Sequence, residues 1–355
     1  MVHNFNAGPG ILPQEVLQEA SNGILNIKGS GLSILEIGHR TDLFESILNE
    51  AVSLVKELMH LDSNHEVLFL HGGASTQFMQ VPINLLDENG LAAYIDNGIW
   101  GSKAIKEAKL FGKVEVVSST QDKNHTYIQK QFSTPENAAY LHYTTNNTVE
   151  GTQWQVIPDT DVPLVADMSS DILSRQMDFN RFDLIYAGAQ KNMGAAGVNL
   201  VVVNKNILGK IKRRIPTILD YRIHIENGSM LNTPPVFAIY VCMLTLRWLK
   251  KIGGVAIIEK LNNQKAELFY HTLDSLPVFR GPVAKEDRSK MNVVFVMDDP
   301  ALEKEFTNVC KEENIYGIKG HRSVGGFRAS LYNALPISSV EVLTDIMKSF
   351  AIKHG

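Results

Sequence analysis

Cysteine is scarce: the 355 residues contain two, Cys242 and Cys310. Both fall in apolar stretches of helical period, without the electropositive, glycine-rich setting of a reactive thiol. They read as core fillers, and a disulfide framework is excluded. No apolar run approaches the roughly 20 residues needed to cross a bilayer. The first residues, MVHNFNAGPG, lack the charged-then-apolar pattern of a leader peptide, so a cytoplasmic location is expected. The sequons at Asn124, Asn146 and Asn227 would then not be glycosylated. Neither sign of charge dominates, since 34 Lys and Arg against 38 Asp and Glu leave a formal net charge of −4. That excludes the basic footprint of a nucleic-acid-binding protein, and the densest basic run, residues 210–214, reads as a solvated helix face. Tandem repeats and low-complexity segments are absent, and no metal site is expected. What remains is an ordinary globular composition, 44% hydrophobic and 20% charged. The chain is too long for one simple core and fits two domains.

The most informative stretch is residues 187–197, AGAQKNMGAAG. An apolar strand at 184–186 leads in and a second at 199–203 leads out. Between them Lys191 lies among small residues, in a loop where glycine lets the backbone turn sharply and approach a ligand. A lysine met alone is a solvated surface charge. Held between two buried strands it loses solvent and its pKa falls. The neutral amine is then a nucleophile for a carbonyl carbon, as a Schiff base requires. Upstream, residues 163–167 read as a short buried strand ending in Asp167. Residues 168–182 are long enough for a crossover to a neighbouring parallel strand. Asp167 and Lys191 are therefore expected at the carboxyl ends of adjacent strands, where open α/β sheets bind ligands. Alone, Asp167 would be a helix cap or loop acid. Paired with Lys191 it suits pyridoxal phosphate: the lysine holds the aldehyde and the aspartate keeps the pyridine nitrogen protonated.

The rest of the chain surrounds this pair. Residues 4–12 form an irregular arm, and Pro13 opens a helix with Leu12, Val16, Leu17, Ala20 and Ile24 on one face. Gly29-Ser30-Gly31 ends it, and the hydrophobic strand expected at 34–37 argues against a dinucleotide fingerprint, which needs a helix there. His39 and Arg40 occupy the turn before a helix that Asp42 caps, with Glu45 three places on. A strand at 66–70, a glycine turn at 71–76 and a helix to Leu85 make the arrangement that aims free backbone N–H groups at a phosphate. Strands follow at 91–95 and 138–143, with a helix opening at 98–101 and a polar loop at 146–151. Beyond Lys191 a helix is expected over 205–214. The paired prolines of 228–235 forbid regular structure there, a helix follows at 237–250, and the glycine pair Gly253-Gly254 precedes a second helix to about Leu273. Strand, helix, strand, helix at 292–297, 301–313, 327–332 and 339–351 indicate a small α+β domain. Within it residues 320–328 gather His321, Arg322 and Arg328 around a glycine turn.

ADMSSDILSR followed by YAGAQKN, with NAGPG, GHR, GGASTQF, NNTVEGTQ, LNTPP and GHRSVGGFRASLYNALP, resembles the phosphoserine aminotransferases. These are class-V, fold-type-I pyridoxal-phosphate enzymes of serine biosynthesis. The blocks run from Asn6 to Pro336 in the family's order, so the resemblance covers essentially the whole chain. It implies that Lys191 and Asp167 are catalytic. It also implies that Ala74 and Ser75 cup the cofactor phosphate, that Trp100 stacks on the pyridine ring, and that Thr148 and Gln190 contact the cofactor. Asn232 and Thr233 would reach the phosphate from a second subunit of a homodimer with shared sites. Arg328 would clamp the substrate α-carboxylate, while His39, Arg40, His321 and Arg322 would form a cationic pocket for the distal anion. The family usually has serine before the His-Arg pair, whereas this chain has Gly38. That leaves Arg40 in place but removes one side-chain hydrogen bond.

The fold implied is a fold-type-I transferase with a mainly parallel seven-stranded sheet. An arm at 1–14 would precede a large domain at 15–252 and a small C-terminal α+β domain at 253–355. The reaction implied is amino transfer between L-glutamate and 3-phosphohydroxypyruvate, giving O-phospho-L-serine and 2-oxoglutarate, with small molecules as the partners and neither nucleic acid nor membrane involved. Whether the phosphorylated hydroxythreonine of pyridoxine biosynthesis is also a substrate stays open. The alternatives are another fold-type-I aminotransferase or lyase, which the cationic pocket disfavours for apolar substrates, and a non-catalytic scaffold, which the intact Lys191, Asp167, Ser75 and Trp100 set disfavours.

Overall fold

The structure is a computed structural model that describes residues 1–321 and 324–354. A two-residue strand, β1 (His3–Asn4), precedes helices α1 (Gln14–Leu25) and α2 (Asp42–Leu58). Strand β2 (His65–His71), helix α3 (Ala74–Leu85), strand β3 (Leu91–Asp96), helix α4 (Ile99–Ala108) and strand β4 (Lys113–Ser119) follow. Then come β5 (Ala138–Thr144), β6 (Leu164–Asp167), β7 (Leu184–Gly188) and β8 (Val198–Asn204). Helices α5 (Tyr221–Glu226), α6 (Val236–Lys251) and α7 (Gly254–Ser275) lead to β9 (Phe279–Arg280), β10 (Asn292–Met297), α8 (Glu303–Glu312), β11 (Ile315–Tyr316), β12 (Phe327–Ser330) and α9 (Ile337–His354).

The main sheet has seven strands in the order β2-β8-β7-β6-β5-β3-β4. It is parallel except at β8, which runs antiparallel to both β2 and β7. Its strands read as continuous apolar runs because both faces are covered. Val67 and Phe69 of β2 join one core with α2 and α6, while Leu68 and Leu70 join the other with Phe78 and Val81 of α3. In β8, Leu200 and Val202 divide from Val201 and Val203 in the same way. The C-terminal sheet is β12-β10-β9, antiparallel, over a third core built around Phe269, Phe279, Phe295, Phe306, Phe327 and Phe350. Phe5 of the N-terminal arm joins that third core, because β1 pairs with β11.

Four expectations from the sequence change. Residues 34–37 form turns rather than a strand: Ile34 and Ile37 are buried while Leu35 is exposed, a three-residue spacing rather than alternation. Thr41, not Asp42, is the N-cap of α2 and accepts from the amide of Phe44. Residues 205–214 form only a three-residue 3-10 turn, Lys205–Ile207, because Gly209 takes a left-handed φ of 75°. In α1 the buried face is Val16, Ala20 and Gly23, with Leu17 and Ile24 left at the surface. Strand β4 was not anticipated, and the crossover from β6 to β7 contains no α-helix.

Candidate active site

Strands β6 and β7 are parallel neighbours, with Asp167 opposite Tyr186. Lys191 therefore emerges three residues past the end of β7, beside the carboxyl end of β6. Its loop is fixed from below: Ala189 and Met193 are buried, and the Met193 amide donates to the Ala189 carbonyl at 3.2 Å. Above, the amide of Gly10 in the N-terminal arm donates to the Gln190 carbonyl at 2.7 Å. The side chain is left one direction. Lys191 Nζ donates to Thr148 Oγ1 at 2.7 Å and lies 5.3 Å from the centre of the Trp100 ring. Desolvation pulls this amine down to about 8, against an opposing pull from Asp167 and with help from the Arg328 charge. At pH 7.5 about a quarter of such amines are neutral, against about one in a thousand for an ordinary lysine.

Asp167 is buried at the end of β6. Its Oδ1 accepts from the Ser169 amide at 2.9 Å and the Ser169 hydroxyl at 2.6 Å. Burial raises the carboxyl pKa, and the nearby Lys191 charge and the Ser169 donors oppose the rise. Ser169 Oγ in turn accepts from the amide of Gly188, the last residue of β7, at 3.0 Å. One hydroxyl thus ties the acid to the strand that carries the lysine. Ser169 was missed in the sequence, although a serine two places after an aspartate is a known local turn pattern.

Two helix starts face the same region. No side chain caps α3 at Gly73, and among the described residues nothing accepts from the amides of Ala74 and Ser75. Sheet pairing puts this turn near the lysine loop, since the Gly72 amide donates to the Gly197 carbonyl at 3.2 Å. At the start of α4, the Ile99 amide donates to Glu150 Oε1 at 2.8 Å. A Cβ on Gly98 would meet Asn147 Oδ1 at 2.5 Å, so only glycine lets α4 approach the 146–151 loop. Trp100, which follows, is half-buried with its indole N–H unpartnered. Arg328, on β12, donates from Nη1 to the Thr148 carbonyl at 3.2 Å, and burial lowers its pKa.

Residues 2–343 match the family described as Aminotransferase class-V. The chain belongs to that family. It is 56% identical over 352 residues to a phosphoserine aminotransferase of Flavobacterium johnsoniae, covering 99% of both chains. Among solved structures it is similar to the phosphoserine aminotransferase of Bacillus circulans subsp. alkalophilus, at 43% identity and a TM-score of 0.97, covering 100% of this chain and 99% of that one. The PLP-bound phosphoserine aminotransferase of Trichomonas vaginalis follows at 36% identity and a TM-score of 0.93, covering 98% of this chain and 100% of that one.

In this class-V aminotransferase the structure brings together Lys191, Asp167, Thr148, Trp100 and Arg328, with Gln190 beside them. The Gln190 side chain folds back over Gly188 and leaves its Oε1 buried and unpaired. Ala74 and Ser75 stand at the neighbouring helix start. The other expected residues lie on three further segments of the chain. Arg40 is exposed and His39 half-buried with Nε2 unpartnered. Thr233 is exposed, and its carbonyl accepts from His71 Nε2 at 2.6 Å; Asn232 precedes it. The carbonyl of His321 accepts from the amides of Val324 and Gly325 at 2.9 Å, and Arg322 lies outside the described residues. The assembled residues fit a phosphorylated pyridine aldehyde: a partly neutral amine, an indole face, a carboxylate for a ring nitrogen, and uncapped amides for a phosphate. Among the described residues no group of His, Cys, Asp and Glu could hold a metal.

Proposed function

We propose that this enzyme is a phosphoserine aminotransferase, exchanging an amino group between L-glutamate and 3-phosphohydroxypyruvate to give 2-oxoglutarate and O-phospho-L-serine. The observation that carries the reading is Lys191 Nζ, pulled down to about 8 and held between Thr148 and the Trp100 ring. When bound, pyridoxal phosphate supplies an electron-accepting ring that makes a substrate Cα–H acidic. Lys191 Nζ is the base that takes that proton and returns it. Asp167, whose carboxylate accepts from both Ser169 donors, would face the ring nitrogen and hold its proton. Trp100 would pack against the ring, Thr148 and Gln190 would orient it, and the Ala74 and Ser75 amides would hold its phosphate. Arg328 meets the α-carboxylate as a planar fork.

The distal anion, a phosphate or the glutamate side chain, is assigned to His39, Arg40, His321 and Arg322. We place Asn232 and Thr233 of one subunit at the Lys191 site of the other, which makes the enzyme a homodimer. The chain divides into an arm at 1–14, a large domain at 15–252 and a small domain at 253–355. Among the described residues no helix is long and apolar enough to cross a membrane, and a cytoplasmic role in serine biosynthesis is assigned. Absorption spectra of the holoenzyme test the reading. Phosphoserine and glutamate should each bleach the cofactor band of the resting enzyme, and the matching keto acids should restore it. A resting band untouched by phosphoserine sinks the substrate assignment. The phosphorylated hydroxythreonine, added in the same way, decides whether the reading extends to pyridoxine biosynthesis.

A further inference from the structure

Arg328 is carried by the three-stranded C-terminal sheet, whereas Lys191 and Thr148 are carried by the seven-stranded one. The α-carboxylate clamp is therefore only as well placed as the joint between the two sheets. The single bond from Arg328 Nη1 to the Thr148 carbonyl lies at the end of a long side chain and cannot set that joint alone.

A better-buried tie lies two residues before Thr148 on one side and, on the other, across from Ser330, two residues past Arg328. Asn146 Nδ2 donates to Ser170 Oγ and to Asn292 Oδ1, both at 2.8 Å. Asn146 Oδ1 accepts from Ser289 Oγ at 2.5 Å. On β10, Asn292 Nδ2 donates to Ser330 Oγ at 2.9 Å and to the Tyr332 hydroxyl at 3.3 Å. That hydroxyl donates to the carbonyl of Ala7 in the N-terminal arm at 2.6 Å. Asn146 is 2% exposed and Asn292 0%. In the β10–β12 register Asn292 faces Ser330, and Val294 faces Arg328. The line of hydrogen bonds thus runs from Ser170, three residues past Asp167, through Asn146, two residues before Thr148, to the strand pair that holds Arg328. The loop's other end is seated on the same strand. Gly151 has a φ of +83°, and a Cβ there would stand 2.8 Å from Val294 Cγ2. A buried polar network whose members are satisfied is rigid and has one geometry.

We propose that Asn146 and Asn292 form an amide joint that sets Arg328 in register with Lys191, and that both are positioning residues for the substrate carboxylate. This rests on the reading of Arg328 as the carboxylate clamp. Neither asparagine reaches the cofactor or the substrate; each acts through Arg328.

The test uses the holoenzyme of Asn292→Leu, which keeps the branched side-chain shape and removes every side-chain hydrogen bond. Dissociation constants for glutamate and 2-oxoglutarate should weaken by about ten- to a hundredfold, as for a reacting group displaced by an ångström, while the resting absorption band and cofactor retention stay at wild type. The slow half-reaction with 4-aminobutyrate, which has no α-carboxylate, should be unchanged. In an Arg328→Ala background, Asn292→Leu should add nothing to the loss of glutamate binding, because the clamp it positions is gone. Asn292→Ser, too short to reach Asn146, carries the same expectations and serves if the leucine variant does not fold. Equal damage with 4-aminobutyrate, or additive losses in the double variant, overturns the joint. Arg328→Ala with unchanged glutamate binding brings down the clamp reading itself. A damaging Arg328→Ala beside a silent Asn292→Leu brings down the joint alone.

Discussion

Two lysines in this chain lose their charge more readily than a solvated one, for different ends. Lys191 is pulled down to about 8 with opposing charges around it, and its amine faces the site. Lys265, 1% exposed on α7, is pulled down to about 7 by burial alone, and it donates to the carbonyls of Leu331 and Tyr332 at 2.9 and 2.7 Å. Chemistry separates them. Lys191→Ala should retain the cofactor through the α3 amides, Asp167 and Trp100, yet borohydride should fix it covalently to wild type only. A peptide map showing label at another lysine would remove Lys191 from its role. Lys265 should be visible in stability instead. Its folded pKa lies below the unfolded value of about 10.4, so between roughly pH 7 and 10.5 the unfolded chain binds more protons. Stability from this group therefore rises with pH through that window and is level above it, by on the order of 3–5 kcal/mol in full. Urea unfolding at pH 7, 8.5 and 10 should show wild type gaining on Lys265→Met as pH rises. A difference that is flat with pH would mean that Lys265 titrates normally.

At the scale of elements, the lysine loop depends on how closely α6 approaches it. A Cβ on Gly194 would strike the Cys242 sulfur and come within 3.2 Å of the Cys242 Cα, which pins the loop directly to the helix. Gly194→Ala should lower stability by about 1–3 kcal/mol, as overpacking does, and loosen cofactor retention on gel filtration. Cys242→Ala removes the sulfur but not the helix backbone, so the double variant should recover part of the loss in thermal melting. No recovery would show that the backbone contact alone decides the fit. The same elements show what the sequence made legible. Lys191 and Asp167 stand at the ends of neighbouring strands, and short apolar runs, a glycine loop and a lone acid express that locally. Strand β4 escaped because it is an edge strand with Lys113, Glu115 and Val116 exposed, so no buried face imposes alternation on it. The helix expected over 205–214 failed on one left-handed glycine, a backbone choice that apolar periodicity does not report. Arg328 and Thr148 are 180 residues apart, and the Asn146–Asn292 pair 146; only the packing of two sheets brings such partners together. Nothing local distinguishes those asparagines from turn residues.

At the scale of the whole molecule, the proposed site draws on two chains. Thr233 and Arg40 are exposed, and Leu25, Leu32 and Leu35 in the stretch leading to His39 and Arg40 are exposed apolar residues. Exposed apolar residues there are available to the subunit contact proposed above. The segment before α6 is irregular and rigid, with Pro234 and Pro235 fixing its backbone and His71 holding the Thr233 carbonyl. A stiff polar projection of this sort suits a residue delivered to another subunit's site better than a linker. Thr233→Glu would set a carboxylate against the cofactor phosphate, and like charges at contact distance weaken binding. Thr233→Glu and Lys191→Ala should each be inactive alone. Mixed under conditions that exchange subunits, half of the dimers become mixed. If sites are shared, each mixed dimer has one site with both defects and one with neither. Activity should then return to about a quarter of wild type for random pairing and independent sites, by the statistics of a two-fold dimer. Native mass spectrometry shows whether exchange has occurred. With exchange established and no activity regained, the site is built within one chain, and Thr233 belongs to the structure of its own subunit rather than to its partner's cofactor.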